Sequence, residues 1–124
     1  MKILIVEDHA KIALQLYHIL KEILDGLPLP EPGFDFVKTE DEAVEKIGSE
    51  NFNLITLDEK LEQGYGTGVL RRIEKNNFPK IIRISTDDTT LDFYKEKGVL
   101  TLAKEDAIYE NLLPLVKKVL ELKS

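Results

Sequence analysis

Met1-Lys2-Ile3-Leu4-Ile5-Val6-Glu7-Asp8 opens the chain. Its apolar residues run without alternation and then stop on two acids, which reads as a strand buried on both faces. Strands of that kind belong to parallel sheets roofed by helices, so a helix is expected next. From about Ala10 to Leu24 the period changes accordingly. Ile12, Leu16, Ile19, Leu20 and Ile23 share one helical face, with Lys11, His18 and Glu22 opposite. Asp25 to Gly33 then holds three prolines and two glycines and cannot continue the helix.

The alternation repeats along the chain. A short strand is expected at Phe34–Val37, and Thr39-Glu40-Asp41-Glu42 is a capping-box sequence opening a helix through Ala43, Val44 and Ile47. Asn53–Leu57 reads as a third buried strand and ends on Asp58. The glycine-rich Gly64-Tyr65-Gly66-Thr67-Gly68 reads as a long, mobile turn leading into a helix with Val69, Leu70 and Ile73. A fourth strand is expected at Lys80–Ile84, and a short helix from about Thr89 to Lys97 stops at Gly98. Val99–Ala103 is the fifth strand. The last helix is placed from about Asn111 to Leu122, with Pro114 in its first turn. Strands and helices alternate five times, which predicts an α/β protein with a doubly wound, five-stranded parallel sheet. In such sheets ligands bind beyond the carboxyl ends of the strands.

Composition limits what the protein can do. At 124 residues, with no cysteine and a formal net charge of −6, the chain reads as a single domain, residues 1–124, without an effector domain. Thiol catalysis and thiolate metal sites are excluded. The negative balance argues against nucleic-acid binding. The apolar start is too short for a signal peptide or membrane span, so a cytoplasmic, non-membrane protein is expected.

The strand ends carry the chemistry. The first strand ends in Glu7-Asp8, the third in Asp58, the fourth in Ser85 and the fifth in Lys104. The fold would gather these side chains at one rim. Three carboxylates there repel one another unless a cation joins them, and Mg2+ suits them as a hard ion that takes one or two carboxylates, waters and phosphate oxygens. A hydroxyl and an ammonium beside them are what a transferring phosphoryl group needs. Asp58 stands between the acidic pair and the hydroxyl–lysine side, where a carboxylate nucleophile should stand. Singly, each residue has a plainer reading: Asp8 as a helix N-cap, Asp58 and Ser85 as turn residues, Lys104 as a solvated surface lysine.

Together, Ile3-Leu4-Ile5-Val6-Glu7-Asp8, Asn53-Leu54-Ile55-Thr56-Leu57-Asp58, Ile81-Ile82-Arg83-Ile84-Ser85 and Ala103-Lys104 resemble the receiver domains of bacterial response regulators. The resemblance spans essentially the whole chain. It implies a flavodoxin-like sheet of order 2-1-3-4-5 and a two-component phosphorelay. A histidine kinase or histidine phosphotransfer protein would be the donor, and a protein target would receive the output. It further implies that Asp58 accepts the phosphoryl group, while Asp8, Asp58 and the Lys60 carbonyl bind Mg2+ directly and Glu7 acts through water. Ser85 would bind one phosphoryl oxygen and Lys104 would neutralise another. Such a protein catalyses its own phosphorylation and dephosphorylation rather than turning over a substrate. The competing reading is a phosphorylation-independent, receiver-like binding module.

Several positions depart from the family pattern. Glu62 stands where a proline is usual, Glu105 follows the lysine where proline is usual, and Thr101 replaces the usual aromatic three residues before Lys104. Lys60 and Asp87 flank the approach of hydrolytic water in receivers. Here their opposite charges are expected to meet over the phosphoryl group and slow its loss. Exposed Leu14 suggests donor docking through the first helix. Arg83 within a buried strand is unexpected, and an ion pair with a fourth-helix acid such as Asp92 is the reading offered for it.

Overall fold

A computed structural model describes residues 1–121. The elements are β1 (Lys2–Val6), α1 (Ala10–Asp25), β2 (Gly33–Val37), α2 (Glu40–Ser49), β3 (Leu54–Leu57) and α3 (Gly66–Arg72), then β4 (Ile81–Ser85), α4 (Leu91–Glu96), β5 (Leu100–Ala103) and α5 (Tyr109–Val119). The strands form one parallel sheet of order β2-β1-β3-β4-β5, as the sequence predicts. Val6 pairs with Leu57, Leu57 with Arg83, and Ser85 with Ala103. This register brings the residues after β1, β3 and β5 to one edge.

Alternation within the strands divides the core in two. Ile3, Ile5, Leu54, Ile82 and Ile84 pack with α1 and α5, while Leu4, Val6, Ile55, Leu57 and Ile81 pack on the face of α2, α3 and α4. The helices are unequally anchored. α1 buries Ala13, Leu16, Leu20, Ile23 and Leu24, whereas α4 buries Tyr94 alone. At about 1.5–3 kcal/mol for each large apolar side chain, α1 is fixed by packing and α4 depends on whatever holds one tyrosine.

Local chemistry explains the boundaries. Thr39 caps α2 by accepting the Glu42 N–H at 3.1 Å, and Glu42 reaches back to the Lys38 N–H at 3.2 Å, one residue further than in the usual capping box. Gly98 follows α4 with φ +77, the left-handed conformation a helix-ending glycine supplies. α4 is shorter than expected because residues 87–90 are held in a turn: Asp87 accepts from Thr89, and Arg83 donates to the Asp87 carbonyl and the Thr90 hydroxyl. α5 starts at Tyr109, since the Ile108 carbonyl already accepts the Leu112 N–H at 2.9 Å. Pro114 therefore sits in the second turn rather than the first, and the expected end at Leu122 lies outside the described residues. A 3-10 segment at Lys75–Lys80 contains Pro79. The segment Leu27–Pro32 runs at the amino ends of the strands, away from Asp58, with Leu27 and Leu29 packed onto the α1/α5 core.

Candidate functional site

Lys104 is the hinge of the site. Its Nζ lies 3.0 Å from Glu7 Oε1 and 2.9 Å from Asp58 Oδ2, joining the ends of β1, β3 and β5. Both carboxylates are buried, Glu7 at 3% exposure and Asp58 at 6%. Their charges are tolerable there because the ammonium lies between them. The pKa of Glu7 is raised, by burial first and also by the Asp58 charge, against the His9 N–H and Lys104 bonds that lower it. Burial pulls the Lys104 pKa down, but its bonds to Asp58 and Glu7 outweigh that and raise it. The lysine is therefore a permanent cation at the rim.

The remaining predicted residues surround the same opening. A cleft of about 380 Å³ is lined by Asp8, Asp58, Lys60, Ser85, Asp87 and Lys104, together with His9 and Thr86. Asp8 does not cap α1: the N-cap residue is His9, without a side-chain cap bond. Ser85 Oγ accepts the Asp87 N–H at 3.1 Å, so its turn role and its place in the cleft coexist. Among the described residues, Glu7, Asp8 and His9 offer ligand atoms within 4.8 Å of one another. Asp58 lies outside that cluster, its Oδ2 held by Lys104. Buried Glu7, half-buried Asp8 and buried Asp58 at one rim are a hard-oxygen donor set of the kind a divalent cation prefers.

Three expectations do not hold. Lys60 forms no ion pair with Asp87 among the described residues. The Asp87 carboxylate is instead taken by Thr89, whose N–H donates at 2.8 Å and hydroxyl at 2.6 Å, and these bonds lower its pKa. The 64–68 turn is pinned rather than loose: Gly66 N–H donates to the Glu59 carbonyl at 2.7 Å, and Tyr65 N–H to Glu40 Oε1 at 3.0 Å. α3 begins inside the glycine run, and a Cβ at Gly66 would stand 2.2 Å from the Tyr94 hydroxyl and 2.5 Å from the Asp58 carbonyl. Arg83 does not pair with Asp92. Its guanidinium lies 4.9 Å from the centre of the Tyr94 ring and donates to the Asp87 carbonyl and Thr90.

Glu59 and Tyr94 are the groups that sequence reasoning missed. Glu59 is 2% exposed, its N–H donates to Asp58 Oδ1 at 2.8 Å, and its carboxylate accepts from Thr67 N–H, Thr67 hydroxyl and the Tyr94 hydroxyl. Burial, followed by the Glu59 bond, raises the Tyr94 pKa far above the usual phenol range, so the hydroxyl keeps its proton. Sequence spacing gives no signal for the pair, since Glu59 and Tyr94 meet across 35 residues of chain.

The fold finds counterparts among solved structures. The receiver domain of the sensor histidine kinase PA1611 of Pseudomonas aeruginosa PAO1, with a magnesium ion coordinated in its active-site cleft, is 18% identical, covers 97% of this chain and 97% of its own, and superposes with a TM-score of 0.79. The response regulator TrrA of Thermotoga maritima, in complex with Mg2+ and BeF, is 26% identical over 95% of this chain and 97% of its own, at a TM-score of 0.77. A signal receiver domain of a histidine kinase from Syntrophus aciditrophicus is 25% identical over 97% and 89% of the two chains, with a TM-score of 0.76. No family model matches the chain, and no curated protein matches it. The chain has the fold of response-regulator receiver domains. Among the described residues, no helix is long and apolar enough to cross a membrane.

Proposed function

We propose that this protein is a phosphoryl-accepting receiver whose acceptor is Asp58. The observation that carries the reading is the Lys104 bridge at 2.9–3.0 Å to both Asp58 and Glu7, with Ser85 opening onto the same cleft. A carboxylate oxygen of Asp58 attacks phosphorus in a phosphohistidine or acyl phosphate. The bond from phosphorus to the imidazole nitrogen, or to the acyl oxygen, breaks, and the leaving group keeps the electron pair. Esterification moves negative charge from Asp58 onto the phosphoryl oxygens. Lys104 follows that charge, and the Ser85 hydroxyl turns from the Asp87 N–H to donate to a second oxygen. Asp8, Asp58 and the Lys60 carbonyl would hold Mg2+, with Glu7 acting through water. When bound, the ion supplies positive charge to the transferring oxygens.

The donor is a histidine kinase or a histidine phosphotransfer protein. A groove of about 650 Å³ beside Lys104, lined by Ile12, Leu16, Ile19, Ile84, Ala107 and Ile108 among others, offers it an apolar seat next to the acceptor. Leu14, 54% exposed, is not among the residues lining that groove, so docking rests on the Ile12–Ile19 side of α1.

Incubation with acetyl phosphate and Mg2+ is expected to add one phosphoryl mass, abolished by Asp58→Asn or by chelation. An unchanged mass at saturating donor would overturn the reading and leave a phosphorylation-independent binding module in its place.

A further inference from the structure

A circuit of contacts runs from the candidate acceptor to Ser85, which lines the same cleft. Asp58 Oδ1 accepts the Glu59 N–H at 2.8 Å, and the Glu59 carboxylate accepts the Tyr94 hydroxyl. The Tyr94 ring lies 4.9 Å from the Arg83 guanidinium, Arg83 donates to the Asp87 carbonyl, and the Asp87 N–H donates to Ser85 Oγ at 3.1 Å. Ser85 lines the same cleft as Asp58. Glu59, Arg83 and Tyr94 are each at most 2% exposed. Their charges and dipoles therefore act in a medium where water does not screen them.

Tyr94 is the one buried residue of α4. Its ring contributes packing, but its position is fixed by an anion at the hydroxyl and a cation on the ring face. Both ends of that clamp connect to groups that a phosphoryl on Asp58 must disturb. Esterification removes the negative charge that Asp58 Oδ1 and Oδ2 share, which weakens the Glu59 N–H bond. A phosphoryl oxygen drawing on Ser85 displaces the Ser85–Asp87 turn that Arg83 grips. Thr101, half-buried in β5, has no aromatic ring to carry the change.

We infer that Tyr94 is the coupling residue of this receiver: its bond to Glu59 and its stacking on Arg83 convert the state of Asp58 into the position of α4. This rests on Asp58 being the acceptor. Packed against the tyrosine are Glu59 from the β3 end, Arg83 from β4 and Gly66 from α3. The Gly66 contact leaves the hydroxyl no room to move toward α3, so a weakened clamp shifts α4 outward.

Hydrogen exchange with and without acetyl phosphate and Mg2+ tests this in the parent and in Tyr94→Phe, which keeps the ring and deletes the hydroxyl. A second variant, Glu59→Gln with Tyr94→Phe, removes the carboxylate charge and the hydroxyl while the amide side chain still serves Thr67. It serves if the single variant folds poorly. All three proteins are expected to gain the phosphoryl mass. In the parent, exchange across residues 87–97 changes on phosphorylation by about tenfold, which corresponds to about 1.4 kcal/mol. In both variants that donor-dependent change is expected to fall below about twofold, a difference that a purely structural role for Tyr94 would leave in place. An equal donor-dependent change in parent and variants overturns the coupling. Absence of the phosphoryl mass in the parent refutes the acceptor reading instead. The donor-free arm then decides whether the circuit exists: faster exchange in Tyr94→Phe at both Thr67 and residues 91–96 supports it, and unchanged exchange at Thr67 overturns it.

Discussion

On the α1/α5 face of the sheet, Ile3, Ile5, Leu54, Ile82 and Ile84 meet Leu16, Leu20, Ile23, Leu112 and Val116. Strand alternation places Thr56 alone among them as a polar side chain. On the opposite face, Leu4, Val6, Ile55, Leu57 and Ile81 share their layer with Arg83 and Tyr94, and Glu59 lies against the tyrosine. Apolar contact is non-directional and tolerates small shifts. A buried hydrogen bond or cation–ring contact holds one geometry and is lost by movement of about an ångström. The first face is suited to holding the domain together, and the second to registering a change at Asp58.

The largest expected effect lies in the charged layer. Arg83→Ala empties a buried side-chain volume and removes the cation on the Tyr94 ring and the donor to the Asp87 carbonyl and Thr90, and should cost about 4 kcal/mol in urea unfolding. Leu20→Ala on the apolar face should cost about 3 kcal/mol through a cavity. The two differ in how they are rescued. Arg83→Lys, which keeps a cation beside the Tyr94 ring, should lose about 2 kcal/mol less than Arg83→Ala. Leu20→Lys should recover nothing of the loss in Leu20→Ala. An Arg83→Ala variant as stable as the parent would break the distinction between the faces.

Steric fit is the next test. Gly66→Ala places a Cβ against the Asp58 carbonyl and the Tyr94 hydroxyl, and the carbonyl cannot yield, so about 2 kcal/mol should be lost. Gly48, in α2 with nothing within 4 Å of a built Cβ, is the control. Gly48→Ala should gain about 0.5–1 kcal/mol from helix propensity. A loss at Gly48 or none at Gly66, read from the same denaturation curves, would contradict the packing.

The apolar face and the rim were legible from the sequence because both follow from the strand pattern. A run such as Ile3–Val6 can only be a buried strand, and Glu7, Asp8, Asp58, Ser85 and Lys104 follow strands whose order a parallel sheet constrains. The charged layer was not legible because its members have meaning only in contact. Tyr94 reads as one more apolar anchor until its hydroxyl meets Glu59, 35 residues away. Asp87 failed for the opposite reason: a local competitor, Thr89, satisfies its carboxylate before Lys60 can. The glycine run misled because flexibility and close approach demand the same residue, and here Gly66 serves close approach.

A smaller effect concerns the strut between the α2 and α3 ends. Glu40 accepts the Tyr65 N–H and pairs with Arg72 at 2.9 Å, and these contacts, the Tyr65 bond foremost, lower its pKa below the usual 4.5. A carboxylate with a lowered folded value stabilises the fold above its unfolded value and loses that contribution as pH falls through the folded one. Glu40→Gln should therefore cost about 1.5 kcal/mol at neutral pH. The gap to the parent should close progressively once the pH drops below the ordinary carboxylate range. A gap that stays constant into acid would mean that the charge on Glu40 is not what holds Tyr65.

The smallest effect tests the exception on the apolar face. Thr56 lies in β3 between Ile5 and Ile82, is 1% exposed, and its Oγ1 has no hydrogen-bond partner among the described residues. A buried hydroxyl without a partner forfeits its hydration and gains nothing in return. Valine has nearly the same shape, keeps the β-branch that suits a strand, and replaces the hydroxyl with a methyl that packs against the isoleucines. Thr56→Val should therefore stabilise the protein by about 1 kcal/mol, raising the urea midpoint without changing the slope of the transition. Phosphorylation by acetyl phosphate should be unaffected, since the substitution leaves the Asp58 circuit untouched. The same Thr→Val change at Thr67, whose hydroxyl donates to Glu59 at 3.0 Å, should instead destabilise by a similar amount. If both substitutions move stability in the same direction, the two faces do not differ in how they use polar groups, and the division of labour between them fails.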